Sequence, residues 1–164
     1  MAVFEQPAMK QITDATLDEL AAQAQASPRQ RANLNLHEHL EDPIQRLAIA
    51  MEPGTYVRPH RHPHTWELLY PLRGRFLVLH FDEAGTVTAR SLLGEDSRVL
   101  ENPAGQWHAV LSLDAGGVIF EVKHGPYQPL LAADLAPWSP AADSPLAEGM
   151  LERYERARVG DVLG

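Results

Sequence analysis

The chain has 164 residues and a net charge of −8, with 14 Lys and Arg against 22 Asp and Glu. That length suits one compact domain with a proper core, and an acidic balance without a basic run excludes nucleic acid and anionic membrane surfaces, both of which need clustered Lys or Arg. Cysteine is absent, so disulfides, zinc ribbons and thiol nucleophiles are excluded, and any metal must be held by His and carboxylates.

The opening MAVFEQPAMKQ has neither a basic start nor a continuous apolar run, and no later segment is apolar for long enough to span a bilayer. A cytoplasmic location and a small-molecule partner are therefore expected. Residues 14–26, DATLDELAAQAQA, read as a helix. Thr16 and Glu19 fit a capping box, Leu17, Leu20, Ala21 and Ala24 share one face, and Ser27-Pro28 ends it. Such a helix packs on the outer wall of a barrel or on a second subunit.

Next, Arg29, Arg31, Asn33, Asn35 and His37 alternate with Ala32, Leu34 and Leu36, the period of a strand with one polar and one apolar face. The polar face is either solvated or turned into a cavity. In a cavity, the planar hydrogen-bonding groups of Arg31, Asn33 and Asn35 would suit a carboxylate or a sugar. Pro43 introduces a second strand, IQRLAIAM, closed by a turn at Glu52-Pro53-Gly54.

The next stretch, GTYVRPHRHPHTWELLYPLRG from Gly54 to Gly74, carries the chemistry. His60 and His62 leave the same face of an extended strand and can share one ion. His62 and His64 have the same spacing and are the rival pair. Glu67 follows after room for a turn at Pro63, and His108 lies beyond a second turn at Pro103 and Gly105. Three imidazoles and a carboxylate suit Zn, Fe, Ni, Cu or Mn rather than Ca or Mg. If His60 and His62 face inward, the strand period turns Tyr56 and Arg58 inward too, and turns Val57, Pro59 and Arg61 away. Tyr56 and Arg58 are then the leading substrate contacts.

Downstream, Leu68–Tyr70, Phe76–Phe81, Thr86–Leu93, Arg98–Glu101, His108–Leu113 and Val118–Lys123 read as short strands, with a hairpin turn at residues 82–85. Strands so spaced, with almost no helix between them, make an all-β antiparallel barrel or jelly roll. Glu121 and Lys123 could be a cavity-facing pair, but a solvated pair on an edge strand is the plainer reading. After GPYQP, an Ala- and Pro-rich tail leads to a helix capped by Ser144, with Pro145 first and Leu146, Met150 and Tyr154 along one face. Trp138 and that stripe need the barrel wall or a partner subunit to cover.

Gly54, His60-x-His62, Glu67 and Gly74 resemble the first motif of the cupin superfamily at every anchored position, and Pro103-x-Gly105-x-x-His108 resembles the core of the second. The second motif departs at Gly94, which lies further upstream than usual, and at Ser112, which stands where cupins usually place Asn. The cupin spacing, together with Pro63, favours His60 with His62 over the rival pair and leaves His64 on the rim. RANLNLH at 31–37, TYVRPHRH at 55–62, FDEAG at 81–85 and EVKHGPYQP at 121–129 resemble the small bacterial WbuC family of cupin-fold metalloproteins. His37, His39, His80 and His124 read as ordinary polar or core residues.

The resemblance implies a single cupin barrel over residues 29–130, with a helical arm at 1–28 and a wrapping tail and helix at 131–164. It also implies one divalent transition ion, Zn, Fe, Ni or Mn, on His60, His62, Glu67 and His108, and a homodimer. Two functions fit. One is a metal-dependent isomerase, lyase or oxygenase of cupin type on a small anionic or sugar-like metabolite, with a link to surface-polysaccharide metabolism implied by the WbuC resemblance. The other is a metal-dependent binding or sensing module without turnover.

Overall fold

The computed structural model describes residues 8–164; the MAVFEQP segment that opens the expected arm lies outside the described residues. In chain order the elements are α1 (Asp14–Ala26), β1 (Arg31–Asn35), β2 (Ile44–Met51), β3 (Glu67–Arg73), β4 (Phe76–Phe81), β5 (Val87–Leu93), β6 (Leu100–Asn102), β7 (Trp107–Ser112), β8 (Val118–His124) and α2 (Ala147–Arg156). The strands form two antiparallel sheets, in the orders β1-β2-β8-β3-β6 and β5-β4-β7. Non-neighbours in sequence thus pair in space, as in a jelly roll. Apart from the stretch carrying His60 and His62, the strands expected from the sequence are present, with ends shifted by a few residues.

Alternation along each strand divides the apolar residues between three clusters. Met51, Leu69, Phe76, Val78, Leu93, Val110 and Ile119 fill the space between the sheets. Ala48, Ala50 and Val118, from the opposite face of the larger sheet, lie under Leu17, Leu20 and Ala24 of α1. Leu77, Leu79, Phe81, Ala109 and Leu111, on the outer face of the smaller sheet, are covered by Ala136, Met150, Tyr154 and Leu163 from the C-terminal tail. Trp138 meets the Phe81 ring edge-on at 5.1 Å between centroids. Barrel wall, rather than a partner subunit, therefore covers both amphipathic helices. Full burial of side chains such as Met150 and Tyr154 contributes on the order of 2–3 kcal/mol each.

Four local readings are corrected. The α1 capping box closes between Thr13 and Thr16, not Thr16 and Glu19: Thr13 has the extended backbone of an N-cap and accepts from the Thr16 amide at 3.2 Å, while Thr16 Oγ1 accepts from the Thr13 amide. Helix α2 begins after Leu146, which is 72% exposed and drops out of the buried stripe of Met150 and Tyr154. Strand β8 is the centre of the larger sheet and not an edge, so Glu121 and Lys123 are not a solvated pair. Finally, the residues from Thr55 to Arg61 join no ladder, having only isolated bridges from His60 to His108 and to Leu135.

Candidate metal centre

The last of these segments presents the chemistry. His60 and His108 form an antiparallel pair, each backbone amide donating to the other's carbonyl at 3.0 and 2.9 Å. His108 reaches that position because Gly105, with φ +78°, makes the turn from Pro103 into β7. His62 follows one pleat later, and a turn at Pro63 and His64, with the Thr65 amide donating to the His62 carbonyl at 3.4 Å, returns the chain to Glu67 at the head of β3. The result is a group of His60, His62, Glu67 and His108, each offering one atom within 4.8 Å of the others, that could hold a metal ion.

The donor atoms are oriented for such an ion. His60 Nδ1 lies 2.8 Å from the Arg58 carbonyl, and His108 Nδ1 lies 2.9 Å from the Gln106 carbonyl. A carbonyl only accepts, so each Nδ1 carries the proton and each Nε2 keeps its lone pair for the centre. His62 Nε2 is 2.7 Å from one Glu67 oxygen, and His108 Nε2 is 3.2 Å from the other. That second contact is off hydrogen-bond alignment, which leaves His108 Nε2 buried without a partner. An orphaned imidazole nitrogen aimed at a buried carboxylate is what a cation would complete.

Without an ion, protons settle the charge. Burial opposes ionisation of Glu67, yet its close approach to His108 and His62 holds the carboxyl well below the ordinary carboxylate range. Burial likewise opposes protonation of His108, but Glu67 beside it raises its pKa. His60 goes the other way: burial, then the neighbouring His108, pushes it down to about 3. It is therefore a neutral donor at any ordinary pH.

The group lies in the wall of a cavity of about 430 Å³, lined also by Ile49, Leu69 and Val110 and by the charged residues Arg29, Arg31, Arg58, Glu121 and Lys123. For the last two the cavity-facing reading applies, not the solvated edge-strand pair preferred from the sequence. Glu67 and Lys123 are opposite one another on β3 and β8, and Leu69 is opposite Glu121, so both charged side chains share the face of the metal carboxylate. Lys123 Nζ is 2.9 Å from Glu121 Oε1 and 3.8 Å from Glu67 Oε2. The closer contact is an ion pair out of line for a hydrogen bond, and Glu121 Oε1 has no other partner. Burial, followed by the nearby Glu67, lifts the Glu121 carboxyl to about 8.

The other sequence candidates are placed as follows. Tyr56 and Arg58 line this cavity, but their polar atoms point to the tail: Tyr56 Oη donates to the Pro140 carbonyl at 2.9 Å, and Arg58 donates to Ser139 Oγ at 2.9 Å and the Ala136 carbonyl at 3.1 Å. Val57, expected to face away, instead packs on the cluster between the sheets, while Tyr56 packs on the outer one. Arg31, Asn33 and Asn35 line a second cavity of about 390 Å³, and Arg31, Ile49, Glu121, Lys123 and Tyr127 belong to both. Asn33 Nδ2 donates to Asn35 Oδ1 at 3.0 Å. His64 stands outside the metal group, beside a smaller cleft. His80 contacts Asn102 Oδ1 at 2.6 Å, and His37 Nδ1 accepts from the Arg46 amide at 2.9 Å.

A family described as domain of unknown function DUF6016 matches residues 12–93. No curated protein matches the sequence. Among solved structures, BH2720 from Bacillus halodurans is similar at 17% identity over 78% of this chain and 88% of that one, with a TM-score of 0.51. The DMSP lyase DddQ from Ruegeria pomeroyi DSS-3 is similar at 21% identity over 63% of this chain and 52% of its own, with a TM-score of 0.50. An oxalate oxidase in complex with the substrate analogue glycolate is similar at 14% identity over 65% and 56%, with a TM-score of 0.50. These likenesses carry the architecture: a single cupin jelly roll with flanking helices.

Proposed function

The chain belongs to the DUF6016 family, and because that description assigns no activity we propose a function from the site itself: a metal-dependent enzyme acting on a small anionic or sugar-like metabolite. His60, His62, Glu67 and His108 would hold one divalent transition ion, Zn, Fe, Ni or Mn. The observation that carries this reading is the pair of Nδ1 contacts to backbone carbonyls, which aim Nε2 of His60 and His108 into an open cavity before any ion arrives.

When bound, an ion with four protein ligands keeps an open position at which it polarises a carbonyl, activates water or binds dioxygen. The chain supplies the rest. Lys123 offers donors to a substrate oxygen beside Glu67, Glu121 offers a carboxyl oxygen to accept or return a proton, and the apolar wall of Ile49, Leu69 and Val110 excludes water. Isomerase, lyase and oxygenase chemistry all use such a set. The finer readings, a WbuC-like protein of surface-polysaccharide metabolism working as a cytoplasmic homodimer, belong to the same proposal. Its second form, a binding or sensing module, is favoured by one observation: Glu121 is already ion-paired with Lys123 rather than standing as a free base beside the ion.

Metal analysis of protein purified without a His tag tests the site. About one ion per chain is expected, and far less in a His60→Ala, His62→Ala double variant; retention of full stoichiometry in that variant would sink the reading. A metabolite thermal-shift screen then supplies ligands for turnover assays. Conversion that stops on metal removal and returns with one ion makes the protein an enzyme, whereas tight binding without conversion under every plausible ion, with and without oxygen, makes it a sensor.

A further inference from the structure

On a chain of net charge −8, the metal cavity is locally positive. Its lining carries four fixed cations, Arg29, Arg31, Arg58 and Lys123, against two carboxylates, Glu67 and Glu121. Glu67 faces the three imidazoles, and Lys123 pairs with Glu121. Arg29, Arg31 and Arg58 make no ion pair with a carboxylate among the described residues. A divalent ion adds further positive charge. Unneutralised cations around one concave site are a binding field for an anion.

The unpaired guanidinium groups are not all at one place. Arg58 is two residues from His60 and is tied to the tail. Arg31 on β1 lies opposite Met51, whereas Glu67 on β3 lies in the row of Lys123 and Gln45, so three strand spacings and an offset along the strands separate them, on the order of 25 Å between backbones before the side chains reach inward. One carboxylate cannot touch the ion and Arg31 together. Arg31 is half-buried with Arg29 near it, and burial followed by that like charge lowers its pKa, with Glu121 the opposing charge but beyond ion-pair distance, so two cations are held together without a directly paired carboxylate. Arg31 also stands where the 430 Å³ and 390 Å³ cavities meet.

We propose that the ligand is elongated and doubly functional: an oxygen-bearing head that reaches the metal group, a spacer of several atoms along the β8 face, and a terminal anion, carboxylate or phosphate, held by Arg31 with Arg29. This rests on the metal-site reading above for its head and on the unpaired guanidinium groups for its tail. The spacer crosses Ile49 and the Glu121–Lys123 pair, where carbon chain and hydroxyl groups both find contacts.

The test uses full-length metal-loaded protein and matched probes: 2-hydroxyhexanoate against 2-hydroxyadipate, which add or omit a tail carboxylate, and gluconate against 6-phosphogluconate, which add or omit a tail phosphate. By calorimetry the charged-tail member of at least one pair is expected to bind about tenfold or more tightly, as a charge-assisted contact provides. The preferred pair identifies the anion. Arg31→Gln should abolish that advantage and leave the neutral-tail probe unchanged, and the exposed Arg29→Gln should reduce it in a protein whose fold is not in question. Equal affinity within both pairs, an advantage that survives both variants, or no binding by any probe at millimolar concentration would overturn the proposal while leaving metal content untouched. Binding that persists unaltered after metal removal would instead fault the metal-site reading and spare the tail subsite.

Discussion

Lys123 stands between two buried carboxylates, and that position makes its contribution depend on pH. Replacing it by Met leaves Glu67 and Glu121 on one sheet face without a cation, and removal of one partner from a buried charge group typically costs 3–5 kcal/mol. In the metal-free protein the Glu121 carboxyl is lifted to about 8, so the folded state binds its proton more tightly than the unfolded one. Stability linked to that proton is present at low pH and is lost as pH rises through about 8. Lys123→Met should therefore lower metal-free stability by about 3 kcal/mol near pH 8 and by much less near pH 5, measured by urea denaturation at both. A loss of equal size at both pH values would refute the charge account.

The ligands titrate in the opposite sense with respect to the ion. Glu67 raises the pKa of His108, so an ion binding here would have to displace a proton from this pair. Affinity should rise with pH from about 5.5 through the histidine range and then level, with proton release visible in calorimetry in buffers of different ionisation enthalpy. His60, His62 and His108 to Ala should each empty most of the site, Glu67→Gln should have a smaller effect, and His64→Ala should leave metal content unchanged. His60, His62 and Glu67 were legible in the sequence because their spacing is local and a turn at Pro63 separates them, and His108, distant in sequence, was legible through the Pro103 and Gly105 turn that resembles the second cupin motif. For Glu121 and Lys123 the sequence left cavity and solvent both open, because alternation says which residues share a face but not whether that face looks at water; the neighbours β2 and β3, distant in sequence, decide it.

Among the elements, the segment from Tyr56 to His60 defeats the parity rule for a physical reason. Alternation is enforced by a ladder, and this segment has none apart from the His60 bridges. Its shape comes from the tail instead. The Ala136 amide donates to the Pro59 carbonyl at 2.9 Å, the Arg61 amide donates to the Asp134 carbonyl at 3.0 Å, and Tyr154 Oη of α2 donates to the Val57 carbonyl at 3.1 Å. Arg61 adds an ion pair with Asp134 at 3.2 Å and lies 4.5 Å above the Trp107 ring. Tyr154→Phe removes one hydroxyl and leaves the ring packed, so a loss of about 1–2 kcal/mol is expected in chemical denaturation, with metal stoichiometry retained. Arg58→Ala should cost a similar amount by releasing Ser139 and the Ala136 carbonyl, and a wild-type unfolding midpoint in that variant would show these bonds to be idle. The remaining elements were legible wherever one face was apolar and turn residues bounded the run, as in IQRLAIAM and the hairpin around Gly85, whose φ is +85°.

At the scale of the whole molecule, the chain covers both outer walls of its own barrel and leaves apolar surface elsewhere. Tyr70 and Val99 are 45% and 50% exposed beside the short edge strand β6, with Trp66 at 37% nearby. A homodimer, if formed, should use this edge, and Tyr70→Lys would then lower the mass measured by light scattering while a monomeric wild type would dismiss it. A bound metal would act on the global equilibrium as well, since the unfolded chain does not hold His60, His62, Glu67 and His108 together. At a free ion concentration about 100 times Kd the gain is roughly 2.7 kcal/mol, so removal by a chelator should lower Tm by several degrees.

Because residues 134–154 brace the stretch that carries His60 and His62, the centre is assembled from parts made at different times. Translation delivers His60, His62, Glu67 and His108 well before Tyr154, and at 5–20 residues per second the interval from His108 to Tyr154 is roughly 2–9 s. During that interval a nascent chain carries every donor but not the brace, so an ion binding at that stage would meet donors whose positions are not yet fixed. Any preference among ions would then be set only once α2 docks and the brace closes on this stretch.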